Sequence, residues 1–405
     1  MKNIRTIICL LFVTAFAKAQ QLQTYIDEAH ANNPNIQAYE LRYNIAEEKV
    51  SEANWIPNTE FRAGYFVSEP ETRTGAQIAR FTARQMLPWF GTVSTREKYA
   101  AAMAETDYVD YVIAKRKLTL AVAQSYYNLY GLQAEQEVLD ENIQLLETYE
   151  ELALTSVEVD NASAVDVLRL QIRQNELQQQ KEVLQEQFLA EQAVFNTLLN
   201  RDTGISVDVV SIMVLPELDL VMVDSLKLNP ELLRFDKMYE SVAQAELLNQ
   251  KERAPLLGVG LDYIAVQERP DMIFSDNGKD IFMTMVSLSI PIFNNRYDSR
   301  TKQNELRKQE IEFQKLERLN VLDSTFAKAV SKRNEARIAF ITQAKNLRQA
   351  KDAEQILLKN YETGTIDFND VLDIQELQLK FQINQIQSVQ LYYLQSAVIN
   401  YLVNI

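Results

Sequence analysis

One feature limits this chain more than any other: its second half repeats its first. Asn33-Pro34 returns as Asn229-Pro230, 196 residues later, and Pro57 returns as Pro255 after 198. Leu87-Pro88-Trp89-Phe90 is answered by Ile290-Pro291-Ile292-Phe293 at an offset of 203. Asp166-Val167-Leu168 matches Asp370-Val371-Leu372, and Asn196-Thr197-Leu198-Leu199-Asn200 matches Asn400-Tyr401-Leu402-Val403-Asn404, both at 204. Five landmarks keep their order. The period far exceeds the 20–50 residues of a solenoid unit, so the repeat is a duplicated, domain-sized piece.

Each copy reads as helix, two strands, a very long helix, a turn and a returning helix. Residues 22–55 and 224–253 are expected helices that stop near a proline. Residues 92–158 hold almost no Gly or Pro, and a heptad register runs through Leu118, Val122, Leu129, Leu132, Leu139, Ile143, Leu146 and Ala153. Ser125, Gln136 and Glu150 are its polar exceptions. The second copy carries Leu319, Leu322, Phe326, Ala329, Ala336, Phe340, Leu347, Ala350 and Leu357, interrupted by Arg333, Gln343 and Glu354. Sustained a/d spacing predicts coiled-coil packing, and some 65 residues at 1.5 Å rise make a rod on the order of 100 Å. Returning helices are expected at 164–200 and 367–402, with the turns between rods near Asp160, Asn161 and Gly364.

Four runs alternate with period two. Phe61, Ala63, Tyr65 and Val67 oppose Glu60, Arg62 and Gly64; Ala79, Phe81, Ala83 and Leu87 oppose Arg80, Thr82 and Arg84. Leu257, Val259, Leu261, Tyr263 and Ala265 oppose Gly258, Gly260 and Asp262, and Val286, Leu288 and Ile290 oppose Ser287 and Ser289. A transmembrane strand writes this pattern, and so does a half-buried soluble sheet. Export, strand length and placement between rods favour the first. Four strands cannot close a barrel, for which eight is about the minimum, and an open edge in lipid leaves backbone groups unsatisfied. Several copies are then required; three give twelve strands around a water-filled bore, with Arg80 and Arg84 facing the lumen. The linking loops, Ser68–Gly75 and Gln267–Asp280, are polar.

Export is expected from residues 1–19: Lys2 and Arg5, an apolar stretch from Ile7 to Phe16, then Ala17-Lys18-Ala19 for cleavage. Cys9, the one cysteine, lies inside this leader, so the mature chain is expected to have no disulfide. Lys2, Arg5 and Lys18 leave with it, and the remaining 38 Lys and Arg face 56 Asp and Glu, a net charge of −18. That acidity argues against nucleic acid. No window of about 18 apolar residues follows, so no membrane-spanning helix is expected. His30, the one histidine, is expected at the surface of the first helix. With no glycine-rich phosphate loop and no thiol, enzyme chemistry, a cofactor or a bound metal finds no footing. Trp55 and Trp89 fall near strand ends, where aromatic girdles sit; Trp55 suits core packing equally.

The Asn-Pro pair opening each copy, Leu87-Pro88-Trp89-Phe90-Gly91, Ile290-Pro291-Ile292-Phe293 and the run from Tyr361 through Gly364, Asp370 and Asp373 together resemble the TolC-like outer-membrane efflux proteins. The resemblance covers the mature chain, and its Leu-Pro-Trp-Phe-Gly form is most similar to the heavy-metal branch. It implies a mostly α fold with a membrane β-barrel. There would be two TolC-type repeats at 20–200 and 224–405, joined by an equatorial connector at 201–223. The strands fall at about 58–68, 77–88, 256–267 and 281–291. It further implies a homotrimer in the outer membrane, whose 12-stranded barrel continues into a 12-helix periplasmic tunnel. Its partners would be a periplasmic adaptor and an inner-membrane pump of RND type, and its function passive exit of small solutes or metal ions. A protein-secretion duct and a periplasmic coiled-coil scaffold are the alternatives.

By motif position the resemblance places gate acids at Asp370, Asp373 and Asp166 and a gate-linking tyrosine at Tyr361. It places the barrel–tunnel junction at Pro88, Trp89, Gly91, Pro291 and Phe293. The family's linking arginine falls on Ile366, a departure from its pattern. Helix capping competes with gating: Ser163 with Asp166, and Asp367 with Asp370, have the N-cap/N3 spacing. Asp373 lies beyond the first turn, where capping has no use for it.

Overall fold

The computed structural model describes residues 21–158, 163–217, 223–271, 273–363, 365–366 and 368–403. Helix α1 covers residues 21–32 and α2 Pro34–Glu52. Strands β1 (Glu60–Tyr65), β2 (Glu71–Thr72) and β3 (Gly75–Leu87) precede α3 (Thr92–Glu158) and α4 (Ala164–Leu198). A 3-10 turn at Val223–Leu228 leads into α5 (Pro230–Glu252), β4 (Leu256–Gln267), β5 (Ile281–Ser289), α6 (Arg296–Glu362) and α7 (Phe368–Val403). Helices α3 and α6 have 67 residues each and begin 204 residues apart; α4 and α7 also begin 204 apart. The duplication read from short motifs is thus kept residue for residue along both helix pairs. Among the described residues no helix is long and apolar enough to cross a membrane.

The chain divides into two compact units. The first comprises residues up to Ala38, Val112–Pro230 and Arg318–Ile405, and holds the coiled-coil body. Its seams are the expected heptads: Val122, Leu129, Leu139, Leu146 and Ala153 on α3, and Leu322, Ala329, Ala336 and Ala350 on α6, are buried. The polar exceptions on α3 have partners on α4. Ser125 Oγ donates to Glu191 at 2.5 Å, Gln136 reaches the Leu184 carbonyl, and Glu150 accepts from Gln171 and Gln174 at 2.7 and 2.9 Å. On α6, Arg333 is buried with its guanidinium over the Tyr392 ring. Such groups lower coiled-coil stability and specify its register.

The first helix is not continuous. It breaks at Asn33, whose side-chain oxygen accepts from the backbone of Asn35 and Ile36 while Pro34 opens α2. This is an N-cap followed by proline at the first helical position. Asn33 also donates to the Leu198 carbonyl at 2.9 Å, and Asn229 donates to that of Leu402 at 2.9 Å. Leu198 and Leu402 are again 204 apart, so each Asn-Pro braces the end of its own repeat's returning helix. The expected surface position of His30 is corrected: it is half-buried, its Nε2 within 2.9 Å of Thr119 Oγ1 and 3.2 Å of the Lys115 carbonyl. Burial holds its pKa below the usual histidine value. The connector after α4 runs extended over α3, where the Val210 and Met213 amides donate to the hydroxyls of Tyr126 and Tyr130.

The second unit comprises Tyr39–Tyr111 and Glu231–Glu317 and carries the sheet. Its strand order is β1-β3-β4-β5, antiparallel throughout, with the unexpected two-residue β2 paired to β3. The two repeats thus meet at β3–β4. On the outer edges of β1 and β5 no strand pairs among the described residues.

Candidate functional site: a two-faced sheet and an acid-bearing helix start

The register sorts every strand side chain onto one of two faces. Phe61, Ala83, Leu261 and Thr284 lie in one row, Ala63, Phe81, Tyr263 and Phe282 in the next, and Val259 with Val286 and Leu257 with Leu288 beyond. This face is apolar, yet among the described residues nothing covers it: Phe61 is 80% exposed and Val286 78%. Monomeric proteins rarely leave such a contiguous patch to water. Towards the loop end Phe81, Tyr263 and Phe282 stack on one another, with centroids 6.2 and 4.9 Å apart. At the other end lie the exposed Trp89, Phe90 and Phe293, Trp89 edge-on to Phe90 at 5.8 Å. The sheet's apolar face therefore lies between two aromatic clusters.

The opposite face has a polar centre whose groups pair with one another, beside Ile264, Val266, Met283 and Met285. Asp262, wholly buried, accepts from Arg80 and from Thr82, and Arg84 donates to Ser287 at 3.0 Å. Arg80 and Arg84 thus share the face away from the apolar side. Asp262 is the partner that sequence reasoning placed on this face without giving it a role; an acid midway along an otherwise apolar strand was its signal.

At the junction the structure explains the motif. Gly91 has φ +80°, a left-handed conformation that costs a residue with Cβ about 1 kcal/mol or more. Its carbonyl accepts from the Thr95 amide, the Thr95 hydroxyl at 2.7 Å and the Ser94 hydroxyl, starting α3. Pro88 follows the last residue of β3 and Pro291 lies two residues past the end of β5, where a residue without N–H cannot extend the ladder. Trp55 is half exposed, with the Arg96 guanidinium 4.7 Å above its ring. The loops are tied to each other by Arg73–Asp276, Arg269–Glu71 and a 2.7 Å bond from the Gly278 amide to the Thr74 carbonyl.

Within the coiled-coil unit, α4 and α7 begin after the turns that follow α3 and α6. Asp370 and Asp373, three apart in the first turns of α7, share a helix face and are exposed. Asp166 is placed differently. Its carboxylate accepts from the Ser163 amide while the Ser163 hydroxyl accepts from Val165, a capping box that leaves Asp166 buried. Tyr361 is buried against Phe368, centroids 4.8 Å apart, and Phe368 meets Tyr149 edge-on at 6.0 Å. Ile366 joins this apolar cluster. Asp160, Asn161, Gly364 and Asp367 lie outside the described residues.

Side chains also link the long helices to one another. Tyr149 donates to Glu354 at 2.6 Å, joining α3 to α6; burial first, and the carboxylate second, push the tyrosine pKa up. Arg169 donates to Asn369, and Arg173 lies 3.7 Å from Glu376, joining α4 to α7. Glu354 was legible as a heptad interruption; its partner, 205 residues away, was not. Among the described residues no cluster of His, Cys, Asp or Glu could hold a metal ion.

A duplicated chain of two β-hairpins and two long helical hairpins, with a bare apolar sheet face, has the TolC-type fold of outer-membrane channels. Solved structures bear this out. The outer membrane protein VceC of Vibrio cholerae aligns over 95% of this chain and 96% of its own, with TM-score 0.74 and 18% identity. The Campylobacter jejuni CmeC outer membrane channel covers 95% and 85%, at 0.74 and 13%, and the open state of the Neisseria gonorrhoeae MtrE outer membrane channel 95% and 88%, at 0.71 and 15%. At such identities the likeness is one of fold. No protein-family model and no curated protein matches the sequence.

Proposed function

We propose that the chain is an outer-membrane duct: three copies close a 12-stranded barrel that continues into a 12-helix periplasmic tunnel. The observation that carries this reading is a four-strand path with no strand paired at either end among the described residues, apolar and uncovered on one side and with a paired polar centre around Asp262 on the other. In lipid the open edges need partner strands and the bare face needs hydrocarbon, and closure of several copies supplies both. Arg80 and Arg84 would then line the bore. The solved channels of this fold are outer-membrane proteins, and the leader at residues 1–19 would deliver the chain there.

The duct is passive. An inner-membrane pump of RND type would drive small solutes or metal ions through it by way of a periplasmic adaptor. Asp370 and Asp373 face water on each α7, and three copies around an axis would form a ring of six carboxylates that favours cations. Asp166, held in its capping box, would support the ring by fixing the start of α4. Purified protein added to planar lipid bilayers should give discrete conductance steps, cation-selective under a salt gradient. A protein that adds no conductance, or an anion-selective one, refutes the duct or its acid ring respectively.

A further inference from the structure

We propose that the cleft where β5 ends and α3 and α6 begin is a phosphate-binding site, made by Arg96, Lys251 and Arg296 around the buried hydroxyl of Thr92. The site stands on its own geometry; only a membrane source for its phosphate rests on the duct proposed above.

The duplication brings two helix starts to one place. Thr92 and Arg296, 204 apart in sequence, are the first residues of α3 and α6, and both line a cleft of about 370 Å³ within the sheet-bearing unit. That volume suits a small ligand. The first turn of a helix leaves backbone N–H groups without helical partners and carries partial positive charge, a natural setting for phosphate. Side chains add to that charge. Arg96, one turn into α3, and Lys251, in the last turn of α5, line the same cleft as Arg296. Neighbouring cations are matched: Arg300 takes Glu252, which also lines the cleft, at 3.0 Å, and Arg253 takes Asp298 at 2.9 Å. Among the described residues Arg96, Lys251 and Arg296 form no ion pair, in a mature chain with 56 acids against 38 bases.

Two of these cations have an ordinary use. Lys251 suits the negative end of α5, and the Arg96 guanidinium lies 4.7 Å above the Trp55 ring. Those uses leave two groups unexplained. Thr92 is only 3% exposed, and its Oγ1 has no hydrogen-bond partner; Arg96 Nη1 is buried and has none either. A buried donor with no acceptor bears its full desolvation penalty. A hydroxyl and a guanidinium N–H, both dry and both unanswered beside two further cations, fit one acceptor with several oxygens and more than one charge. Phosphate meets that description. Arginine holds it through paired N–H bonds and lysine as a point charge.

The phosphate has two routes in. Leu256 and Ser289, paired on the polar face of the sheet, line the cleft, and so does Ile290, exposed beside the aromatic end of the apolar face. In the proposed barrel Trp89, Phe90 and Phe293 would mark the depth of the lipid headgroups. A phospholipid would then present its phosphate from the membrane side, and free phosphate would arrive from the bore.

Both tryptophans of the chain report on the cleft: Trp55 lies under Arg96, and the Trp89 carbonyl accepts from the Thr92 amide at 3.0 Å. Full-length protein in a nonionic detergent is dialysed against radiolabelled inorganic phosphate at fixed ionic strength, with tryptophan emission followed in parallel. Saturable binding with a change in emission is expected, and acetate should not reproduce it. Lys251→Gln with Arg296→Gln should weaken binding by about ten- to a hundredfold, because two charge-assisted contacts go. Should that pair fail to assemble, Lys251→Gln alone, which removes no hydrogen bond among the described residues, should still weaken it. Phosphatidylglycerol in mixed micelles then separates the sources. If it displaces the label and stays with the protein in native mass spectrometry, the bound phosphate is a lipid's; if it does not compete, the phosphate is a soluble one. Saturable binding of neither ligand, equal binding by the variants, or equal binding of acetate overturns the site. A conducting trimer without phosphate affinity would end this inference and leave the duct standing. Phosphate binding by a protein that stays monomeric would do the reverse.

Discussion

Leu261→Arg should abolish the assembled protein in the outer membrane, whereas Met285→Arg, on the opposite face of the same sheet, should leave it in place. Leu261 sits at the centre of β4 with Ala83 and Thr284 beside it, and it is 44% exposed with no protein cover. In the proposed closed barrel it would face hydrocarbon, where an arginine at mid-membrane costs ~2–4 kcal/mol per chain, hence ~6–12 kcal/mol over three copies. That rivals the stability of a typical domain. Met285 pairs with Gly260 on the polar side, where a cation meets water. The measurement is the heat-modifiable oligomer band from outer-membrane fractions. Equal tolerance of both substitutions would show that the apolar face does not meet lipid.

The second large effect concerns the acid ring. Replacing Asp370 and Asp373 together with Ala should weaken block of single-channel current by a divalent cation by on the order of ten- to a hundredfold. One carboxylate attracts a unit charge 4 Å away by about 1 kcal/mol in water, and six are lost at once. Asp166→Ala should act differently. It removes one half of a capping box, so about 1 kcal/mol of helix stability goes, with cation block nearly unchanged because the carboxylate is buried in its cap. Unchanged block in the double variant would remove Asp370 and Asp373 from the constriction.

Much of this was legible because it is periodic. The offset of 204 between Asp166 and Asp370 is the offset between whole helices. The heptads marked the buried seams of α3 and α6, and alternation found all four long strands within a few residues at most of their ends. What escaped was set by distant partners. Residues 22–55 read as one helix because the chemistry that breaks it, Asn33 capping α2 while bracing Leu198, spans 165 residues. His30 read as a surface residue because its cover, Thr119 and Lys115, comes from α3. The two-residue β2 is too short to show any period. At the tip, sequence could hold capping and gating of Asp166 only as equals; the structure supplies the cap. It also shows two links that sequence did not, Tyr149–Glu354 between α3 and α6 and Arg169–Asn369 between α4 and α7.

The most direct measurement is the native mass of the protein extracted from outer membranes in mild detergent. Three chains per particle, insoluble once the detergent is withdrawn, is the expected result, because in the proposed cylinder β1 and β5 would each need a neighbour's strand. A single chain that stays monodisperse in plain buffer, its sheet face shielded without lipid or a second copy, would contradict it.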